Sequence, residues 1–177
     1  KSSPEKLIEV TNIFQKLSKI PLLIGLDAEW GLSMRLQKTM RFPRNGAFNN
    51  VENGDLLYKM GKEIGRQLAF IGVHMNFAPV IDVNNNSKNP VIGNRSFGDS
   101  PQRVAQKGIA YMRGLSDAGI LACAKHFPGH GDTTIDSHKD LPIINHSRDR
   151  LDAIELYPFR KLIKERVPAI MTAHLAV

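Results

Sequence analysis

What most constrains this chain is an alternation of two hydrophobic periods. Ser3-Pro4-Glu5 is a cap, a proline at the first helical position and an early acid, and Leu7, Val10, Phe14 and Leu17 then recur at steps of three and four. That spacing predicts one amphipathic helix. Leu22 to Leu26 reads as a buried strand. Leu56 to Phe70 restarts the helical period through Leu57, Met60, Ile64 and Leu68, and Val73 to Val83 reads as the next strand. Asp99-Ser100-Pro101 opens a third helix carrying Val104, Ile109, Met112 and Leu115 and stopping at Gly119. Ile120 to His126 is a third strand. Leu151 to Glu165 is helical in pattern, with Pro158 opening its second part, and Val167 to Val177 is a fourth strand. Residues 39–54 and 84–98, rich in Asn and Gly, read as loops, and Leu141 to Ile144 as a short piece interrupted by Pro142.

Helix and strand in strict alternation imply right-handed βαβ units and a parallel sheet. Polar residues gather where each strand ends: Asp27 and Glu29, then Asp82, then Lys125 and His126, then His174. In parallel α/β folds the carboxyl ends of the strands form the site, so the pattern predicts one shared pocket. Four strands do not close a barrel of eight. The sheet is therefore either open or part of a larger barrel.

Composition narrows the class. The chain of 177 residues is 42% hydrophobic and 23% charged, a globular balance for one domain. The net charge of +7 raises nucleic acid as a partner, but the basic residues are scattered and form no block interleaved with aromatics, so none is expected. No segment is long or apolar enough to span a membrane. Cys123, the single cysteine, lies in an apolar run and is expected in the core. The chain does not start with Met and shows no signal peptide, which leaves the compartment open.

The densest chemistry lies between Lys125 and His138, where three histidines, two aspartates and a lysine fall within fourteen residues. Such groups cost free energy to bury unless they are paired, so a core does not need them. Leaving a strand, they mark a candidate active-site loop. From spacing alone, Asp136-Ser137-His138 could equally be a turn bonded to its own backbone. Asp27 could simply pair with Arg35. His126, His130, Asp132, Asp136 and His138 are also metal-ligand types, but they lack a regular helical spacing and glycines interrupt them. His74 and His146 have no motif around them.

Taken together, Lys125-His126-Phe127-Pro128-Gly129-His130-Gly131-Asp132-Thr133, Asp136-Ser137-His138 and Leu141-Pro142 resemble the signature of glycoside hydrolase family 3, in its β-N-acetylhexosaminidase branch. Asp27-Ala28-Glu29 with Gly31 and Arg35 resembles that family's D-x-E-G-G-x-x-x-R segment, with Trp30 where glycine is usual. Asn76 to Val83, Asn89-Pro90, Arg95-Ser96-Phe97-Gly98 and Met171-Thr172-Ala173-His174 resemble three further stretches. The resemblance implies a (β/α)8 TIM-type barrel, of which residues 1–177 would be a single partial domain, from the first helix to about the fifth strand. It implies a retaining exo-β-N-acetylglucosaminidase acting on peptidoglycan fragments or chitooligosaccharides, with no cofactor and no metal. The implied acid/base is His138 with Asp136, on an arm made mobile by residues 129–134. Asp27, Arg95, Lys125 and His126 would bind the sugar. Glu29 and Arg35, expected to pair with each other, would support the site with Asp82, His130 and His174. The family's nucleophilic aspartate belongs to a T/S-D-x-L-x-M motif that this sequence lacks. The isolated chain is therefore expected to be inactive, with a possible carboxyl-terminal domain beyond it and a bacterial cytoplasmic or periplasmic setting. A β-glucosidase of the same family, or an inactive carbohydrate-binding fragment, are the alternatives.

Overall fold

A computed structural model describes residues 2–133 and 142–177. Asp136, His138 and Leu141 lie outside the described residues.

Each of the longer helices starts where the sequence supplies a cap. The hydroxyls of Ser3 and Ser100 accept from the amides of Lys6 and Arg103, and a proline follows each, opening α1 (Pro4–Leu17) and α3 (Pro101–Asp117). Asn53 caps α2 (Gly54–Phe70) and Ser147 caps α4 (Arg148–Ala153). The helix expected over 151–165 is in fact two, because α5 begins afresh at Leu156–Lys164. Pro158 has no amide hydrogen and its ring would meet the carbonyl four residues back, so it is tolerated only in a first turn.

The strands are β1 (Gly25–Leu26), β2 (Met75–Asn76), β3 (Leu121–Phe127) and β4 (Ala169–Thr172). All pair in parallel, in the order β1-β2-β3-β4. The first two are much shorter than the apolar runs suggest. Leu22 and Leu23 lie exposed ahead of β1. Beyond β2, Pro79 cannot donate to a ladder. The chain nevertheless stays beside β3, since Ala78 and Pro79 accept from the amides of Cys123 and Lys125, and Ile81 donates to Lys125.

The monotonic strand order matters. A doubly wound sheet reverses direction at a switch point, whereas a barrel adds each strand to the same edge. These four strands follow the second rule and form an arc of a (β/α) barrel. Leu57, Ile64 and Leu68 from α2, Tyr111 and Leu115 from α3, and Phe159 and Leu162 from α5 cover its outer face in one core. Each such buried side chain contributes about 1.5–3 kcal/mol. α2 and α3 approach closely because glycines meet backbone there: a Cβ on Gly61 would lie 2.3 Å from the Tyr111 carbonyl oxygen, and one on Gly114 2.1 Å from that of Tyr58. Cys123 is buried, as expected. Among the described residues no helix is long and apolar enough to cross a membrane.

Candidate active site

The pocket forms at the carboxyl ends of the strands, and a local irregularity of β3 builds its centre. Lys125 pairs with Met171 of β4, yet Phe127 pairs with the very next residue, Thr172. The extra residue on β3 is His126. Successive side chains of a regular strand point to opposite faces. The bulge breaks that rule, and both Lys125 and His126 line the same cavity of 650 Å³.

A network of five charges occupies one wall. Lys125 Nζ donates to Asp27 Oδ1 at 2.8 Å and lies 2.9 Å from Glu29 Oε1. Arg95 grips the same Glu29 carboxylate with Nε at 3.1 Å and Nη2 at 2.7 Å, while Arg35 Nη2 donates to Asp27 Oδ2 at 2.6 Å. Glu29 and Lys125 are both only 2% exposed, so these pairs are weakly screened. Burial pushes the Glu29 carboxyl up, but hydrogen bonds from Arg95 and the charge of Lys125 outweigh it and leave the group below the usual range. Burial also raises Asp27, and Lys125 and Arg35 more than reverse it. On Arg95, burial works against the charge and Glu29 overcomes it, raising the pKa.

The turn holding Glu29 is fixed from two sides. Asn76 of β2 accepts from the Ala28 amide at 3.0 Å and donates to its carbonyl at 3.2 Å, and Tyr111 of α3 donates to the Glu29 carbonyl at 3.0 Å. Burial pushes the Tyr111 hydroxyl far up its scale, so it stays a donor.

Asp82 is fully buried beneath the pocket. Its carboxylate accepts from His126 Nδ1 at 2.7 Å, from the His126 amide at 3.2 Å and from the His130 amide at 2.7 Å. Burial raises its pKa, and the charge and hydrogen bond of His126 with the two amides carry it below the usual value. A carboxylate can only accept here and the Arg95 guanidinium, 3.5 Å from His126 Nε2, can only donate. Nδ1 therefore carries a proton toward Asp82, and Nε2 faces the Arg95 guanidinium.

Residues 129–133 are not the mobile arm the glycines suggested. Gly129, His130, Gly131 and Thr133 are buried. Asn89 donates to the His130 carbonyl at 2.7 Å, and Thr133 Oγ1 lies 2.8 Å from His130 Nδ1. A Cβ on Gly131 would lie 1.8 Å from the Val83 carbonyl oxygen. These glycines allow close packing, and the segment is anchored as far as Thr133.

All the predicted site residues within the described range, except Asp82, line the pocket: Asp27, Glu29, Arg35, Arg95, Lys125, His126, His130 and His174. The expected Glu29–Arg35 pair does not form. Arg35 bonds Asp27, and Glu29 takes Arg95 and Lys125 instead. The apolar wall of Met34, Phe77, Val91 and Met171 was not anticipated, because its members read as ordinary strand and loop residues.

His146 was passed over as well. Its Nε2 lies 2.5 Å from Asp132 Oδ2, and with Glu155 these two place one ligand atom each within 4.8 Å of one another. Arg150 already donates to both Glu155 oxygens, at 2.8 and 2.7 Å, and lies 3.9 Å from Asp132, so a cation already occupies the middle of the cluster. Only a partner 14 residues away reveals His146, which local motif reading cannot see.

The profile described as "Glycosyl hydrolase family 3 N terminal domain" matches residues 3–177. Among curated relatives, "Beta-hexosaminidase A" of Pseudoalteromonas piscicida is 39% identical over 96% of this chain and 30% of its own length. "Beta-hexosaminidase" of Alkalilimnicola ehrlichii is 37% identical over 98% of this chain and 51% of its own length. This chain thus spans a third to a half of those relatives. Among solved structures, a glycoside hydrolase family 3 β-N-acetylglucosaminidase from Paenibacillus sp. superposes with a TM-score of 0.93 at 42% identity, over 99% of this chain and 34% of that one. NagZ from Neisseria gonorrhoeae in complex with N-trifluoroacetyl-D-glucosamine superposes with a TM-score of 0.90 at 32% identity, over 99% of this chain and 54% of that one.

Proposed function

This chain belongs to glycosyl hydrolase family 3, and on that premise we propose that it forms the sugar-binding part of a retaining exo-β-N-acetylglucosaminidase. The substrate is a terminal GlcNAc on a peptidoglycan fragment or chitooligosaccharide. The observation that carries this reading is the convergence of Asp27, Glu29, Arg95, Lys125 and His126 from three separate segments onto one cavity wall. Hydroxyl groups of a pyranose need both donors and acceptors at fixed positions. Lys125 uses two of its three N–H groups on Asp27 and Glu29, which leaves one for a sugar oxygen. Asp27 accepts from hydroxyls, Arg95 donates, and His126 faces the same ring.

His138 with Asp136 supplies the proton. Histidine titrates near neutrality, and a neighbouring carboxylate orients the ring and stabilises its cation. The anchored segment ends at Thr133, whose hydroxyl touches His130 at the pocket wall. Five further residues reach at most about 17 Å, enough to bring His138 over a sugar bound there. The opposing nucleophile is the aspartate that the family resemblance implies, which would form the covalent intermediate of a retaining reaction.

Trp30 is the single tryptophan and directly follows Glu29, so its fluorescence reports on this wall. Titration with GlcNAc is expected to give a saturable change at several-fold lower concentration than glucose. Equal or stronger response to glucose would favour the β-glucosidase alternative, and no response to either would remove the reading.

A further inference from the structure

A second cavity of 480 Å³, lined by Trp30, Ser33, Met34, Arg41, Phe42 and Arg44, adjoins the sugar pocket. Met34 lines both, so the two cavities meet at that side chain. The two are also tied at their rims. Trp30 follows Glu29 in the chain, and Arg44 Nη1 donates at 3.0 Å to Asn94, the neighbour of Arg95.

The second cavity carries two guanidinium groups and no carboxylate. Arg44 stacks over the Trp30 ring with its Cζ 4.5 Å from the centroid. That contact and the bond to Asn94 fix the group in place, and four of its five N–H donors remain unspent. Arg41 is exposed and has no hydrogen bond or ion pair among the described residues. Arg35, at the edge of the sugar pocket, is held by Asp27 and adds no free charge. An aromatic wall beside one preorganised guanidinium, Arg44, and one unpaired guanidinium, Arg41, suits a planar or glycosyl group that carries a carboxylate.

We propose that Trp30, Arg41 and Arg44 form the subsite for the leaving group, and that it selects leaving groups bearing an anionic carboxylate. This rests on the sugar-pocket reading above, because a leaving group sits here only if the glycosyl unit sits beyond Met34. An exo-acting enzyme encloses the terminal sugar and leaves the rest of the substrate at the mouth. The chain then reads the terminal sugar with the Asp27–Lys125–Glu29 wall, and the group attached to it with the two arginines.

The test uses two non-hydrolysable thioglycosides of GlcNAc, one with a 4-carboxyphenyl and one with a neutral 4-carbamoylphenyl group, with free GlcNAc as reference. Calorimetric titration of the full chain is expected to show the carboxylate binding about three- to tenfold tighter, less so in high salt. Arg41→Gln and Arg44→Gln each shrink that ratio, the double variant brings it near one, and free GlcNAc binds all variants alike. A ratio near one in the unsubstituted protein overturns the subsite, as does a ratio that survives the double substitution. Failure of GlcNAc itself to bind overturns the sugar-pocket reading, and the subsite falls with it.

Discussion

His126 Nδ1 and Asp82 Oδ2 lie 2.7 Å apart, and Asp82 itself does not line the pocket. On the proposed sugar-binding reading, the buried carboxylate would act through the ring it holds. It also ties the backbone of His126 to that of His130, so the β3 bulge and the start of the following loop share one acceptor.

Asp82→Asn tests this relationship. The amide keeps the shape but loses the charge and offers only one acceptor oxygen for three donors. Urea unfolding is expected to show a loss of about 1.5–3 kcal/mol, and Asp82→Ala a larger one of about 3–5 kcal/mol, since buried donors are then left unpaired. GlcNAc affinity falls in Asp82→Asn although residue 82 touches no ligand, and the ¹⁵N shift of His126 Nδ1 moves as that nitrogen loses its anionic acceptor. An unchanged ¹⁵N shift would show that Asp82 does not hold that nitrogen by its charge.

Gly131→Ala probes the loop base. The new methyl would meet the Val83 carbonyl, which is backbone and cannot rotate aside. Thermal unfolding should show a loss of several kcal/mol. Gly119→Ala is the control: that glycine has φ +79° with open space where a Cβ would go, so only the cost of about 1 kcal/mol for a left-handed conformation applies. Similar losses in both would mean that Gly131 serves flexibility rather than contact.

Gly131 also marks where sequence reading stops. The helix periods, the caps at Ser3 and Ser100 and the gathering of charges at strand ends were all legible, because each is written in neighbouring residues. Whether a glycine bends or packs depends on what faces it, and Val83 is 48 residues away. The pairing of Glu29 was hidden for the same reason. Arg35 is close in sequence, but Arg95, 66 residues on, presents a bidentate fork and takes the carboxylate. The lengths of β1 and β2 were overread because an apolar run records burial and not ladder hydrogen bonds.

Three site carboxylates, Asp27, Glu29 and Asp82, all titrate below their ordinary range in the folded chain. A depressed carboxylate binds fewer protons folded than unfolded, so stability rises with pH in that window. The contribution is complete above the unfolded value of about 4 and is lost as pH falls through the folded values. Unfolding free energy measured by urea is therefore expected to be level from about pH 7 to 5 and to drop below about 4. Glu29→Gln removes one of the three groups and makes the acid slope shallower. A slope unchanged by the substitution would place the acid sensitivity elsewhere.

The proton donor is the remaining test, and leaving-group chemistry isolates it. A poor leaving group, such as a sugar hydroxyl, must gain a proton as the glycosidic bond breaks, whereas an activated aryl oxide departs without one. In the complete enzyme, His138→Ala is expected to cut kcat on a chitooligosaccharide by about 10²–10⁴, the usual contribution of a positioned acid. On a dinitrophenyl N-acetyl-β-glucosaminide the first step should barely change, and any loss there reports the second step, where the same group acts as base. Added azide would rescue that second loss, because an anionic nucleophile needs no deprotonation. Asp136→Asn should repeat the pattern more mildly, since it leaves the imidazole in place without the carboxylate that stabilises its cation. Equal losses of His138→Ala on both substrates, without rescue by azide, would assign the residue to sugar binding instead.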